Sequence, residues 1–413
     1  MAERNILVVQ AGGPTPVLNA TLASIVEEAR GSGAFRRILG ARSAMRGLAQ
    51  GQVADLTGLS LQDLRVLRGS PGATLGASRY PLKAEDLTAI VRHLERLRVS
   101  DVLVIGGNGT MHAAGLLADC ARKAGRVIRI VGVPKTVDND LERTNRSPGY
   151  ASAARYIAQA TCDLAADVRS MPQPVSILET MGRSVGWLAA AAAATKQDED
   201  EAPHIVLLPE RPLVLDQFLA RVDGCVTRSG WCVVVAAEGL RDARGRMVYE
   251  VEDPAQADAL KRSITGGVAQ YLADRVAQHL KLRCRSEKPG LLGRSSMQHV
   301  ASQDRADAEL VGRAGVQAVL AGVSERMVSL RPLQSTETGR YDLVPLIEVA
   351  GIERPIPEEW IRDGDVPLGE PYFEYIRPLI GQLDSHPEIT LPDYPPSSRK
   401  TDSEEERKHV IQS

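Results

Sequence analysis

At 413 residues, 43% of them hydrophobic and 25% charged, the chain is long enough to bury a large core, more readily as two closely joined subdomains than as one. Its formal net charge of −2 leaves no general basic field, which argues against bulk attraction to nucleic acid or to an anionic membrane. Five widely spaced cysteines without a CxxC pair are expected as reduced core residues rather than disulfides or a zinc site.

The first ten residues, MAERNILVVQ, carry no signal-type apolar segment, and the longest apolar run, 187–194, is too short to span a bilayer. A cytoplasmic protein is expected. Along the chain, apolar β-branched runs at 6–9, 102–105, 127–133, 175–178, 205–208 and 232–239 read as buried strands. Helical patterns follow most of them. After Gly12 and Gly13, the residues Leu18, Leu22, Ile25, Val26 and Ala29 form one helical face. The stretches 111–125 and 184–196 are further helices, the second favoured by its alanines. This alternation predicts a doubly wound α/β architecture with parallel sheets. The tail 395–413, rich in proline, serine and charge, is expected to be disordered.

Two glycine pairs, in QAGGPTPVLN (10–19) and VIGGNGTMHAAG (104–115), stand between an apolar strand and a helix. Backbone N–H groups converge at such turns and the helix N-terminus favours an anion, so each is a candidate phosphate cradle. Neither matches GxGxxG or GxxxxGK[ST], which weakens a dehydrogenase or Walker-type reading. A third strand end, VPKTVDND (133–140), brings a lysine and two carboxylates. In a parallel sheet the three turns would line one crevice at the carboxyl ends of the strands. One carboxylate there can accept the proton of an attacking hydroxyl and the other can help hold Mg²⁺, while Lys135 offsets phosphoryl charge.

Seven segments in order, GGPTPVLNA (12–20), GATLGASRY (72–80), GGNGTM (106–111), PKTVDNDL (134–141), TMGRSVGWLA (180–189), AAEGL (236–240) and RSEKPGLLGR (285–294), resemble the phosphofructokinase family. TNRSPGYASAARYIA (144–158) resembles the branch that includes many bacterial pyrophosphate users. The resemblance implies two doubly wound, mostly parallel, Rossmann-like subdomains with the active site in the cleft between them. Residues 1–148 and about 295–330 would bind the phosphoryl donor, and 149–294 the sugar phosphate. Residues from about 331 to 394, which carry no motif, would pack on the core as an extension.

The resemblance further implies a Mg²⁺-dependent transfer to the 1-hydroxyl of fructose 6-phosphate, with Asp138 as general base. Lys135 and Arg79 would serve the transferred phosphoryl group. Thr136, Asp138, Met181, Gly182, Arg183, Glu238, Arg285 and Arg294 would bind the sugar phosphate. Arg285 would reach it from a neighbouring subunit, which implies a homodimer or homotetramer. Gly12, Gly13, Arg79, Tyr80, Gly107, Asn108, Gly109 and Thr110 would bind the donor, and Asn108, Asp138 and Asp140 the metal.

The chain departs from the family pattern in several places. Asn108 replaces the usual aspartate, a weaker Mg²⁺ ligand. Pro174 and Leu291 stand roughly where short bacterial relatives have an arginine and a histidine. Pyrophosphate users usually carry aspartate at Gly109, and the glycine leaves room for the ATP α-phosphate. Lys135 points the other way, toward pyrophosphate. The steric argument puts ATP slightly first and diphosphate second. The remaining alternatives are another sugar phosphate as acceptor and an inactive metabolite-binding regulator. His112 and His299 are expected to be structural.

Overall fold

The computed structural model describes residues 4–78, 80–171, 174–196, 198–250, 266–334, 339–384 and 386. Strands β1 (Arg4–Gln10), β2 (Phe35–Ala41), β3 (Val53–Asp55), β4 (Val99–Gly106) and β5 (Arg129–Pro134) belong to one sheet. A second sheet holds β6 (Val175–Thr180), β7 (Ile205–Leu207), β8 (Cys232–Ala237) and β9 (Cys284–Glu287). The chain then returns to the first sheet with β10 (Arg326–Leu330) and β11 (Tyr341–Pro345), so the stretch beyond about 330 begins as an edge strand of that sheet.

The seven-stranded sheet runs β11-β10-β5-β4-β1-β2-β3, parallel except for β3 and β11 at its edges. The four-stranded sheet, β7-β8-β6-β9, is parallel throughout. All six expected strands are present. The third starts at Arg129 because Val127 lies 86% exposed before the strand begins. The short strands β3 and β9 are half-exposed, and β2 is polar in its first half, so none of the three carries a continuous apolar run.

The alanine-rich stretch is less regular than its propensity predicts. It forms a helix only over Trp187–Ala191 and continues as a 3₁₀ turn over Ala192–Thr195, with nearly every side chain buried. Packing against the aromatic core of Tyr150, Trp187, Tyr372 and Tyr375 overrides alanine's preference for α-helix. The five cysteines are free, Cys225 and Cys232 fully buried. Among the described residues no helix is long and apolar enough to cross a membrane. The tail 395–413 lies outside the described residues.

Three helices near the crevice start without a side-chain cap from their own first residue and are capped instead by carboxylates from far along the chain. Asp304 accepts from the N–H groups of Gly149 (2.7 Å) and Ser152 (3.1 Å) at the start of the helix Tyr150–Ser170. Glu210 accepts from Gly186 N–H (2.9 Å) ahead of Trp187–Ala191, and Glu179 from Gly267 (2.8 Å) and Ala269 (3.0 Å) at Val268–Leu280. Each satisfies orphan donors and places negative charge at the positive end of a helix.

Close by, Arg146 grips Asp307 with two hydrogen bonds of 2.6 and 2.8 Å, both side chains almost fully buried, and donates a third to Arg331 O at 2.6 Å. Removing one partner of a buried pair leaves the other charge uncompensated, which costs about 3–5 kcal/mol. Asp307→Ala should therefore lower the urea unfolding midpoint by an amount equivalent to roughly 3 kcal/mol or more, measured by circular dichroism.

Candidate active site

Parallel pairing sets the three motif turns side by side. Gln10 at the end of β1 is level with Ile105 of β4, and Gly106 of β4 is level with Pro134 of β5. The chain leaves β1 through Gly12, whose φ of +75° only glycine adopts readily. A Cβ there would lie 3.1 Å from Lys135 Nζ and 4.0 Å from Thr110 Oγ1. Lys135 is 2% exposed and donates to Gly13 O at 2.7 Å, so its ammonium sits inside the first glycine turn. Gly107 precedes the helix Asn108–Lys123, with the backbone of Lys135 and the side chain of Thr136 against it. Gly109 faces open space: a Cβ there would meet no atom within 4 Å.

The acidic loop follows β5. Thr136 Oγ1 accepts from Asp138 N–H at 3.1 Å, closing a tight turn. Asn139 is buried with φ at +56°, a left-handed conformation that asparagine tolerates better than most residues. Asp138 and Asp140 flank it. Burial pushes the Asp138 carboxyl up to about 7, with Asp140 and Glu238 adding repulsion and Lys135 and Arg294 drawing it back. A carboxyl poised there suits a general base at neutral pH.

The expected metal ligands also meet. Asn108 Nδ2 donates to Asp140 O (3.0 Å) and Asp140 Oδ2 (3.3 Å), while Asn108 Oδ1 and Asp140 Oδ1 are buried without a hydrogen-bond partner. Two orphaned oxygens of a neutral amide and a carboxylate, beside Asp138, are a donor set that fits a hard divalent cation.

The second sheet supplies the opposite wall. Met181, Gly182 and Arg183 follow β6, and Glu238 follows β8, level with it: Glu238 N–H donates to Thr180 O (2.9 Å) and Gly239 N–H to Gly182 O (3.1 Å). Gly182 has φ of +135°. Arg294 ends the 3₁₀ turn Gly290–Arg294, within electrostatic reach of Asp138.

Tyr80 packs under the Arg46 guanidinium, 5.7 Å from the ring centre. Arg285 is exposed and level with Ser176 near the amino end of β6, whereas the crevice opens at Thr180. Four residues of strand separate the two by about 13 Å. Pro174 lies at that same far end, its carbonyl accepting from Cys232 N–H at 2.6 Å, and Leu291 is 64% exposed. Arg79 lies outside the described residues.

Residues around the loop that sequence reasoning missed come from the motif-free C-terminal stretch. Arg354 donates from Nη2 (3.0 Å) and Nε (3.3 Å) to Asn139 O, and its N–H donates to Asp140 O at 2.9 Å. Tyr375 OH accepts from Asn139 Nδ2 at 2.8 Å and donates to Asn145 O at 3.0 Å. No local pattern marks either residue.

The sequence model of the family described as Phosphofructokinase matches residues 5–319. The chain belongs to the phosphofructokinase family. Among curated members, it is 37% identical to the pyrophosphate–fructose 6-phosphate 1-phosphotransferase of Xanthomonas campestris pv. campestris, covering 92% of each chain. It is 32% identical over 95% of its length to a sulfofructose kinase of Alkalicoccus urumqiensis, covering 96% of that protein. Among solved family structures, a pyrophosphate-dependent phosphofructokinase of Marinobacter aquaeolei superposes with a TM-score of 0.81 at 30% identity, covering 94% of both chains.

If Asp138 is the base, Asp138→Asn should reduce kcat by about 100-fold or more while acceptor binding, read by calorimetry, stays within about tenfold. The base must be ionised to act, so kcat/KM of the wild type should rise with pH through an acid limb lying above the ordinary carboxylate range and no higher than about 7. A limb near pH 4 would count against Asp138.

Proposed function

We propose that this phosphofructokinase transfers a phosphoryl group from diphosphate to the 1-hydroxyl of fructose 6-phosphate, giving fructose 1,6-bisphosphate and phosphate. What carries the reading is Asp138, a buried carboxyl pushed up to about 7 by burial and by repulsion from Asp140 and Glu238, with Lys135 and Arg294 drawing it back. Asp138 takes the proton of the sugar hydroxyl as its oxygen attacks the terminal phosphorus. The bridging P–O bond of diphosphate breaks and the leaving phosphate carries away the electron pair. Lys135, buried within the Gly12–Gly13 turn, offsets charge on the phosphoryl group.

Arg183, Glu238 and Arg294 are assigned to the sugar phosphate, the arginines because their planar fork matches phosphate oxygens. Asn108, Asp138 and Asp140 would hold Mg²⁺, which when bound would neutralise part of the donor's charge. The position of Arg285, at the far end of β6 from its own crevice, supports its service to a neighbouring subunit in a homodimer or homotetramer. A cytoplasmic location follows from the same reading.

In the sequence, the space left by Gly109 puts ATP slightly ahead of diphosphate. The full-length likeness to pyrophosphate-named relatives favours the second of those donors, as does the buried Lys135 in the donor turn. The relative named as an ATP-dependent 6-phosphofructokinase from Amycolatopsis methanolica aligns with only 58% of this chain. The open space at Gly109 keeps ATP as the second reading. The sulfofructose kinase relative makes a different sugar acid or phosphate the alternative acceptor.

Product formation from fructose 6-phosphate, measured with diphosphate and with ATP in turn, tests the donor. Diphosphate should win by about 100-fold in kcat/KM, roughly 2.7 kcal/mol of transition-state binding. Equal or better turnover with ATP would return the donor to ATP, and none with either donor across several sugar phosphates would sink the reading. Gly109→Asp, placed in open space, should keep diphosphate turnover within about threefold and suppress residual ATP use.

A further inference from the structure

The C-terminal stretch 346–381 touches both halves of the crevice. Leu141 forms a bridge with Glu353, and Arg354 N–H donates to Asp140 O at 2.9 Å. Two residues on, Ile356 N–H donates to Glu210 Oε1 (3.2 Å), the carboxylate that also caps the helix Trp187–Ala191 behind Arg183. Val206 N–H of β7 then donates to Asp365 O at 2.8 Å, and Arg155 donates to Ile380 O at 2.7 Å. The arm is therefore tied to the acidic loop and to the second sheet at once.

Its grip on the loop falls on one residue. Asn139 presents three polar groups besides its N–H, and all three are engaged. Its carbonyl accepts two bonds from the Arg354 guanidinium, its Nδ2 donates to Tyr375 OH, and its Oδ1 accepts from Ser147 N–H at 3.1 Å. Arg354 is itself braced. Its guanidinium lies 4.4 Å from the Trp187 ring centre, and its carbonyl accepts from Trp187 Nε1 at 2.9 Å. Tyr375 packs against both Trp187 and Trp360, with ring centres 5.4 Å apart in each case.

Asn139 sits in a left-handed conformation between two carboxylates that repel each other. Lys135 and Arg294 offset only part of that repulsion, so a turn held by the Thr136–Asp138 hydrogen bond alone would relax by swinging one acid away. We infer that Arg354 and Tyr375 are positioning residues: they clamp Asn139 from behind and so hold Asp138 and Asp140 in the arrangement that phosphoryl transfer uses. Neither side chain is assigned a contact with substrate or metal. The inference rests on the proposed reaction for its catalytic consequence, and on the hydrogen bonds above for the clamp itself.

Tyr375→Phe removes one oxygen and keeps the ring packing. Arg354→Met removes the donors, and Arg354→Lys keeps a charge and one donor. Backbone hydrogen exchange, followed by mass spectrometry on a peptide covering 136–147, should quicken by about tenfold in Tyr375→Phe. Turnover with diphosphate and fructose 6-phosphate should fall about tenfold in Tyr375→Phe and about 100-fold in Arg354→Met, with KM for both substrates within about threefold. Arg354→Lys should recover part of the loss. Unchanged exchange in 136–147 overturns the clamp whatever the activity. Unchanged kcat in both Tyr375→Phe and Arg354→Met overturns it as a positioning device, as does a loss carried by KM or a loss that merely follows the unfolded fraction. Failure of the wild type to turn over either donor counts against the proposed reaction instead, and the exchange measurement then still decides the clamp.

Discussion

Two carboxylates one residue apart must be kept from separating, and the architecture around the crevice answers that constraint. Asp138 and Asp140 flank Asn139, whose left-handed backbone brings them into electrostatic contact. Lys135 and Arg294 offset part of the repulsion, and the remainder is borne by the backbone's surroundings. On the near side, Ser329 Oγ donates to Arg143 O, Leu330 N–H donates to Thr144 Oγ1 and Asn145 N–H donates to Leu330 O, pinning the loop to β10. On the far side stand Arg354 and Tyr375. The loop is thus anchored through the first sheet and the C-terminal arm together.

The same logic governs the helices. Phosphate-binding turns need free N–H groups at helix starts, which makes a local side-chain cap a competitor at the mouth of the crevice. The helix Asn108–Lys123, at the candidate donor turn, begins at Gly107 with no side-chain cap. The helices that begin at Tyr150, Trp187 and Val268 are capped by Asp304, Glu210 and Glu179. Of these caps, the one from Asp304 also ties the helix Ser302–Leu320, packed on the first sheet, to the helix Tyr150–Ser170. Burial holds Asp304 up to about 6 even though Ser152 and Gly149 donate to it, a sign of how thoroughly water is excluded from this seam.

Much of this was legible in the sequence because it is local. Strand runs such as 6–9, 102–105 and 232–237 are apolar on both faces, as central parallel strands must be, and turn glycines such as Gly12 and Gly182 mark backbone conformations that other residues resist. Of the five strands not expected, β3, β9 and β11 are edge strands, while β2 and β10 are interior but have exposed polar residues at or near their starts and carry only short apolar stretches. The alanine run misled in a different way, since propensity for helix is weak beside a wholly buried aromatic environment.

By itself, then, the sequence determined the alternating α/β order, the three strand-end turns and the residue types that phosphoryl chemistry requires, because each is written in neighbours a few positions apart. Only the tertiary structure decided how those groups are held. Arg354 and Tyr375 bond a residue 215 and 236 positions away, Asp304 caps a helix 155 positions away, and strand register sets Arg285 level with the amino end of β6. Contacts of that range leave no periodicity or spacing in the chain, because what joins them is the packing of two sheets and an arm.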